Sequence, residues 1–333
     1  VSVAAPPEFK LELASQLRSR ISTFSIPLTA RPHPFKDFQA AQLVARYASE
    51  QDILHGHGLR GAWIAALAAR FSSKPMVFTA HNLAPENPGA LTRALFNFVV
   101  KQTSRAICVS QAVADSLLSY GVGVSKAVVI PNGIDLYQFD LAVSQRPNDP
   151  LTYRPSIVSI GRLSPEKGFD ILIAAAPLVL EQIPDAHFVL IGDGPERQKL
   201  ESLAGELGDR FQFAGRVENV VEALQSAEVV AIPSRLEGQG IVALEAMAAH
   251  KPVVASAVGG LVETVQDGVS GLLIPPENPR ALAASIVQLL QDEGLRQRMG
   301  SAGRKLVEEK YTAYSMVRNT LTVYREAIAG SPT

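Results

Sequence analysis

Short apolar runs alternate along this chain with longer stretches whose apolar positions recur at helical spacing. The runs are rich in Val, Ile, Ala and Phe and stop at Gly, Pro, Asn or Ser. That combination predicts strands buried on both faces, as in parallel sheets covered by helices. In the first half they are SVAA (2–5), STFSIPL (22–28), DILHG (52–56), MVFTAH (76–81), RAICVS (105–110) and AVVIPN (127–132). Helix-period stretches fall between them at 8–19, 38–50, 60–71, 90–102 and 112–121. The rhythm resumes with strands SIVSIGR (156–162), HFVLIGDG (187–194), RFQFAG (210–215), EVVAIPS (228–234), PVVASA (252–257) and GLLIPP (271–276). Helices are expected at 170–183, 196–207, 220–227, 240–249 and 281–292, and a helical tail runs on to Ala329 with a break near Tyr311. Strand followed by crossover helix, repeated, is the pattern of an α/β chain with doubly wound parallel sheets.

The chain has 333 residues, more than one hydrophobic core usually holds. The rhythm lapses over DLYQFDLAVSQRPNDPLTYRPS (135–156), a polar stretch with three prolines. It divides the chain into a first domain over 1–140, a linker over 141–155, a second domain over 156–310, and a C-terminal helix over 311–333 that packs back on the first domain. Two such domains facing one another would place the C-terminal ends of their strands along a cleft, where ligands bind in open α/β sheets.

Composition narrows the function classes. The chain is 47% hydrophobic and 19% charged, with a net charge of -1, so it is an ordinary globular chain with no sign of a nucleic-acid partner. The first 150 residues hold 14 Lys and Arg against 10 Asp and Glu, an asymmetry too small to weigh far. The one cysteine, Cys108, sits in an apolar run and reads as core, leaving no disulfide or cysteine metal site. No run approaches about 20 apolar residues and no secretory signal opens the chain, which gives a cytoplasmic expectation, peripheral at the inner membrane face. Nothing in the sequence speaks to oligomeric state.

Chemistry gathers where the second domain's strands end. The first strand runs into GRLSPEKG (161–168), placing Arg162 and Lys167 on one loop, a planar fork and a point charge suited to phosphate. The second ends in IGDGPE, where Gly192 and Gly194 permit close backbone approach. The third ends in FAGRVEN, which offers Arg216 and backbone groups at Val217. The fourth leads into SRLEGQGIVALEAMA (234–248). Here Gly240, Ile241 and Val242 open a helix whose unpaired N–H groups and dipole favour an anion. Two acids, Glu237 and Glu245, bracket that anion site. Acids would repel a phosphate there, so they are expected to accept hydrogen bonds from hydroxyls on either side of a diphosphate. A nucleotide sugar has that layout.

These segments, with SIGRLSPEKGFDILIAA, VLIGDGPERQKLE and PVVASAVGGLVETVQDGVSGLLIPP, resemble the nucleotide-sugar domain of family 4 of the retaining glycosyltransferases, which have the GT-B fold. DILHGHG, VFTAHN and VVIPNGID resemble its acceptor domain, so the resemblance covers nearly the whole chain. It implies two Rossmann-like doubly wound domains across a cleft and transfer of a sugar from a nucleotide diphosphate sugar to a hydroxyl acceptor, with retention. The acceptor would be a glycan, a lipid-linked hydroxyl at a membrane, or a small molecule. It further implies that Arg162 and Lys167 neutralise the leaving diphosphate, Glu237 holds the sugar and Glu245 the ribose. Gly194, Arg216, Val217, Gly240, Ile241 and Val242 would complete the donor site. His81 would stand at the anomeric centre, with His57 and Asn82 on the acceptor side. No Asp-x-Asp pair occurs, and no metal or cofactor is expected.

The family opens with a strand and a glycine-rich loop, whereas the first glycine here is Gly56. The opening segment aligns better with the family's second strand, helix and third strand, so a central strand of the first sheet is expected to be lacking. Alternative readings are a GT-B nucleotide-sugar epimerase and an inactive nucleotide-sugar-binding fragment. A nicotinamide-dependent enzyme is disfavoured because no G-x-G-x-x-G follows an early strand.

Overall fold

The computed structural model describes residues 1–6, 21–29, 33–85, 87–144, 156–217 and 219–330. The helix expected at 8–19 and residues 145–155 of the expected linker lie outside the described residues. The chain separates into two compact units, one of residues 1–130 with 318–333, the other of residues 131–317.

In the first unit β1 (Ser2–Ala5) pairs in parallel with β2 (Ser22–Ser25). A separate four-stranded parallel sheet has the order β3 (Leu54–His57), β4 (Met76–Ala80), β5 (Thr103–Cys108), β6 (Ala127–Val129). Among the described residues the two sheets share no ladder. Helices α1 (Pro34–Ala48), α2 (Gly58–Ser72), α3 (Ala90–Gln102) and α4 (Gln111–Leu118) connect and cover the strands. Pro34 at the first helical position and the His33 ring, which accepts from the Lys36 N–H, start α1 four residues before its apolar period does. Ala62, Ala65, Ala66 and Ala69 of α2 pack on the four-stranded sheet, while Ile64 meets Ile26, Ala40 and Ala41. Asp37, 3% exposed, accepts both terminal nitrogens of Arg60 at 2.9 and 2.7 Å and Trp63 Nε1 at 3.2 Å, tying α1 to α2.

The second unit carries one six-stranded, fully parallel sheet, with β7 (Ser156–Ile160), β8 (His187–Ile191), β9 (Phe211–Gly215), β10 (Val229–Ile232), β11 (Val253–Ser256) and β12 (Gly271–Ile274). Its order is β12-β11-β10-β7-β8-β9, so the winding reverses between β7 and β10. Such a reversal leaves a crevice at the strand C-termini. One face packs on α6 (Phe169–Leu180) and α11 (Pro279–Gln291), where Leu172, Phe188 and Ile286 are wholly buried. The other packs on α8 (Val220–Ser226), α9 (Ile241–Ala248) and α12 (Glu293–Lys310), through Leu224, Leu244 and Val307. Burying each such side chain contributes about 1.5–3 kcal/mol. The short helices α5 (Leu136–Ser144), α7 (Arg197–Leu203) and α10 (Leu261–Thr264) complete the unit.

The chain passes between units at Ile130 and Pro131, ahead of the stretch read as a linker. Part of that region is α5, a helix that polar character and proline content concealed. Asp135 starts it by accepting the Tyr137 N–H, and Phe139 is buried in the second unit's core. Asp140 pairs with Arg304 at 2.7 Å. The helical tail breaks at Tyr311, whose carbonyl accepts the Ile134 N–H at 2.8 Å, and resumes as α13 (Ala313–Ala329). Residues 318–329 of α13 group with the first unit, where Glu326 meets Arg105 of β5 at 3.4 Å. No helix among the described residues is long and apolar enough to cross a membrane.

Candidate active site

The second unit's candidate residues lie at the C-terminal ends of β7, β8, β9 and β10. Gly240 has φ 90°, and a Cβ there would stand 2.4 Å from Leu261 Cδ2, so only glycine both makes the turn and lets α9 start here. Gln239 is 3% exposed and braces the turn from behind. Its Oε1 accepts the Asn132 backbone N–H at 2.7 Å and the Asn132 side-chain amide at 2.8 Å, and its carbonyl accepts Thr264 Oγ1 at 2.9 Å. The first helical N–H groups, of Ile241 and Val242, have no acceptor among the described residues.

Two cavities share Ile160. The smaller, about 150 Å³, is lined by Lys167, Ser234, Glu237, Gly240, Ile241 and Val242. Within it Lys167 Nζ donates to Glu237 Oε2 at 2.6 Å, and Ser234 Oγ donates to the same oxygen at 3.3 Å. The larger, about 620 Å³, is lined by Arg162, Gly192, Asp193, Gly194, Arg216, Val217 and Val220. Arg162 and Arg216 are exposed and form no ion pair among the described residues. Of the two cations on the β7 loop, Lys167 is paired to an acid in the smaller cavity and Arg162 lines the wider one. Gly192, φ 137°, serves a different approach from a ligand's: its Cβ would lie 1.8 Å from the Gly161 carbonyl oxygen. It lets the β8 loop close on the β7 loop.

Glu245 lies one turn into α9, partly buried, and its carboxyl has no hydrogen bond or ion pair among the described residues. Burial pushes its carboxyl up to about 7. An unpartnered, dehydrated carboxyl is the kind of group a ligand's hydroxyls satisfy.

Sequence reasoning missed Arg235. Its guanidinium takes both oxygens of Asp170 at 2.7 Å, bonds Glu277, and donates to the Pro165 carbonyl at 2.9 Å. The Arg235 bond holds the Asp170 carboxyl below its ordinary range against the upward push of burial. Arg235 thereby pins the loop bearing Glu237 to the loop bearing Lys167. Nothing in its sequence spacing marks that role.

In the first unit His81 follows β4, partly buried, with Nε2 3.0 Å from His57 Nδ1. Burial lowers both imidazoles, and His57 lowers His81 further, so both are neutral near pH 7. Asn82 is exposed. The sequence also passed over His55, whose ring stacks on His57 with centroids 4.3 Å apart. Its signal was present: His55 and His57 alternate on one strand, so they share a face. Burial, and then the charges of His57 and His81, lower His55 to about 3. Cys108 is buried, and burial pushes its thiol up to about 12, in keeping with a core residue.

The model of the Glycosyltransferase Family 4 matches residues 1–138, and that of the Glycosyl transferases group 1 matches residues 144–306. A glycosyltransferase of Methanocaldococcus jannaschii, MJ1607, is 33% identical over 83% of this chain and 76% of its own length. The chain belongs to glycosyltransferase family 4. Phosphatidyl-myo-inositol mannosyltransferase of Mycobacterium tuberculosis is 31% identical to this transferase, over 84% of it and 75% of the relative. Among solved structures, Anabaena Alr3699/HepE in complex with UDP and glucose superposes with a TM-score of 0.83 at 24% identity, covering 96% of this chain and 91% of that one. The fold is GT-B, with two Rossmann-like units.

Proposed function

We propose that this transferase moves a hexose from a nucleoside diphosphate sugar to a hydroxyl acceptor, with retention and without a metal ion. The observation that carries the donor is the crevice at the β7–β10 reversal. There a helix N-terminus with open N–H groups and a Lys–Glu pair line one cavity, and the unpartnered carboxyl of Glu245 stands one turn further along the same helix. The N–H groups of Ile241 and Val242, with Arg162, would take the diphosphate. Lys167 would turn from Glu237 to the phosphate as charge develops on it. Glu237, released, would hold the sugar's hydroxyls and Glu245 those of the ribose. The wider cavity lined by Gly194, Arg216 and Val217 has the volume for a nucleoside.

In the step itself the bond between anomeric carbon and diphosphate oxygen breaks, and the nucleoside diphosphate leaves. The acceptor oxygen bonds the same face of that carbon, and its proton passes to a departing phosphate oxygen. His81 is the group we place at the anomeric centre, with His57 and Asn82 on the acceptor side. A membrane-borne hydroxyl is the acceptor class we carry forward, in line with the lipid named for the mannosyltransferase relative. The test is calorimetric titration with UDP, GDP and ADP, followed by proton NMR of the product formed from the sugar of the tightest base. Binding of one nucleotide, an axial-to-axial outcome for an α-donor and a rate unchanged by EDTA are expected. An inverted product or an EDTA-abolished rate refutes the mechanism, and no nucleotide binding refutes the donor.

A further inference from the structure

The last helix ends in a contact that the transfer reading does not use. Tyr324 Oη, on α13, hydrogen-bonds His55 Nδ1, and its ring meets the imidazole edge-on at 5.4 Å. The other nitrogen, His55 Nε2, hydrogen-bonds Thr79 Oγ1 at 2.8 Å. Both ring nitrogens are therefore engaged and the plane of His55 is fixed. On that plane rests His57, stacked with an interplanar angle of 26°. His57 in turn hydrogen-bonds His81 and lies nearly parallel to it, at 14°. Thr79 lies on β4 and His81 directly follows that strand, so the two sides of the array stand on β3 and on the end of its neighbour β4, paired His57 to Thr79.

We propose that Tyr324 is a positioning residue for His81, acting through His55 and His57. His57 and His81 share one hydrogen between two facing nitrogens, so His57 sets which nitrogen of His81 is left bare and where its ring lies. A stacked ring can hold His57 only if it is itself held, and Tyr324 and Thr79 hold it. The helix is anchored for this by buried Val323 and Ala327 and by the pairing of Glu326 with Arg105. A residue 269 positions from His55 thus sets the geometry of the acceptor-side histidine.

This inference rests on the reading of His81 as a transfer group, and its test separates the two. Tyr324→Phe keeps the ring, and with it the packing, while removing the hydroxyl. The imidazole nitrogen and carbon-bound proton resonances of the full chain, assigned by single His→Gln replacements, report ring geometry with no need of turnover. Movement of the His57 and His81 resonances, not only those of His55, is expected. With it, kcat falls between about twofold and tenfold, the worth of one neutral hydrogen bond, while donor KM stays unchanged. Tyr324→His, which restores a hydrogen-bonding group, recovers part of the rate. Unmoved His57 and His81 resonances overturn the proposal whatever the rate does, and so do moved resonances with an unchanged kcat. If the parent chain transfers no sugar, moved resonances keep the positioning and the transfer reading of His81 falls instead.

Discussion

Glu245→Gln separates the cost of an unpartnered carboxyl from its use. In the folded chain burial holds this group up to about 7, against an ordinary value of 4.5. A carboxyl whose folded value is raised contributes stability that is fully present below the unfolded value and is lost as pH rises through the folded one. Between pH 5 and pH 8 the linkage relation gives a loss of roughly 2.5 kcal/mol. Glu245 is only partly buried, so that figure is a ceiling, and about 1–2 kcal/mol is the working expectation. Glutamine does not titrate, so the variant should gain on its parent by that amount as pH rises. Chemical denaturation of both proteins at pH 5 and pH 8 measures it, and the difference between the two profiles cancels every other titrating group. Binding should run the other way. An ionised carboxylate accepts two ribose hydroxyls, whereas the amide oxygen is a weaker acceptor, so the variant should bind the preferred nucleotide roughly tenfold more weakly at pH 8. Parallel stability profiles would show that Glu245 is not dehydrated in the empty chain. Equal nucleotide affinity would remove it from the ribose.

Lys167→Ala should lower kcat roughly 100-fold, the scale of losing one charge-stabilising donor, with less than a tenfold change in nucleotide affinity by calorimetry. Gly240→Ala forces a side chain to adopt φ 90° against Leu261, and should cost about 1–2 kcal/mol in denaturant unfolding and abolish detectable nucleotide binding. Asp37→Ala strands the Arg60 guanidinium, one quarter exposed, and should destabilise the chain by about 2–4 kcal/mol. Burial opposes ionisation of Asp37, but the bonds and charge of Arg60, with the bonds from His33 and Trp63, together outweigh it and hold the carboxyl below its usual value. Its stabilisation is thus present above the ordinary aspartate range and lost as pH falls through the folded value. Urea melts at pH 3 should differ less between Asp37→Asn and its parent than melts at pH 7.

The strands were readable because parallel strands covered on both faces must be apolar throughout. MVFTA of β4 and VVAI of β10 are buried at every position. Helix α5 was not, because its signal is tertiary: Phe139 and the Asp140–Arg304 pair hold a segment whose local composition resembles a linker. That the residues of the donor crevice would gather at the strand ends could be read in the sequence, since strand ends in such sheets converge. Their pairings could not. Lys167 and Glu237 lie 70 positions apart, Arg235 and Asp170 65, and His55 and Tyr324 269. No periodicity carries contacts of that range; they exist only once β7 and β10 are neighbours and the last helix has docked.

The Lys167–Glu237 pair bears on how turnover ends. With the crevice empty the two charges cancel, so a bare anion must compete with Glu237 for Lys167, and a neutral sugar must compete with Lys167 for Glu237. Only a molecule offering hydroxyls and phosphate together satisfies both at once, which makes the pair a two-key lock. On the proposed reading the hydroxyls would depart with the acceptor after transfer, and Glu237 would reclaim the lysine from the diphosphate. The same ion pair that screens what enters would thus hasten the exit of the spent nucleotide and limit product inhibition.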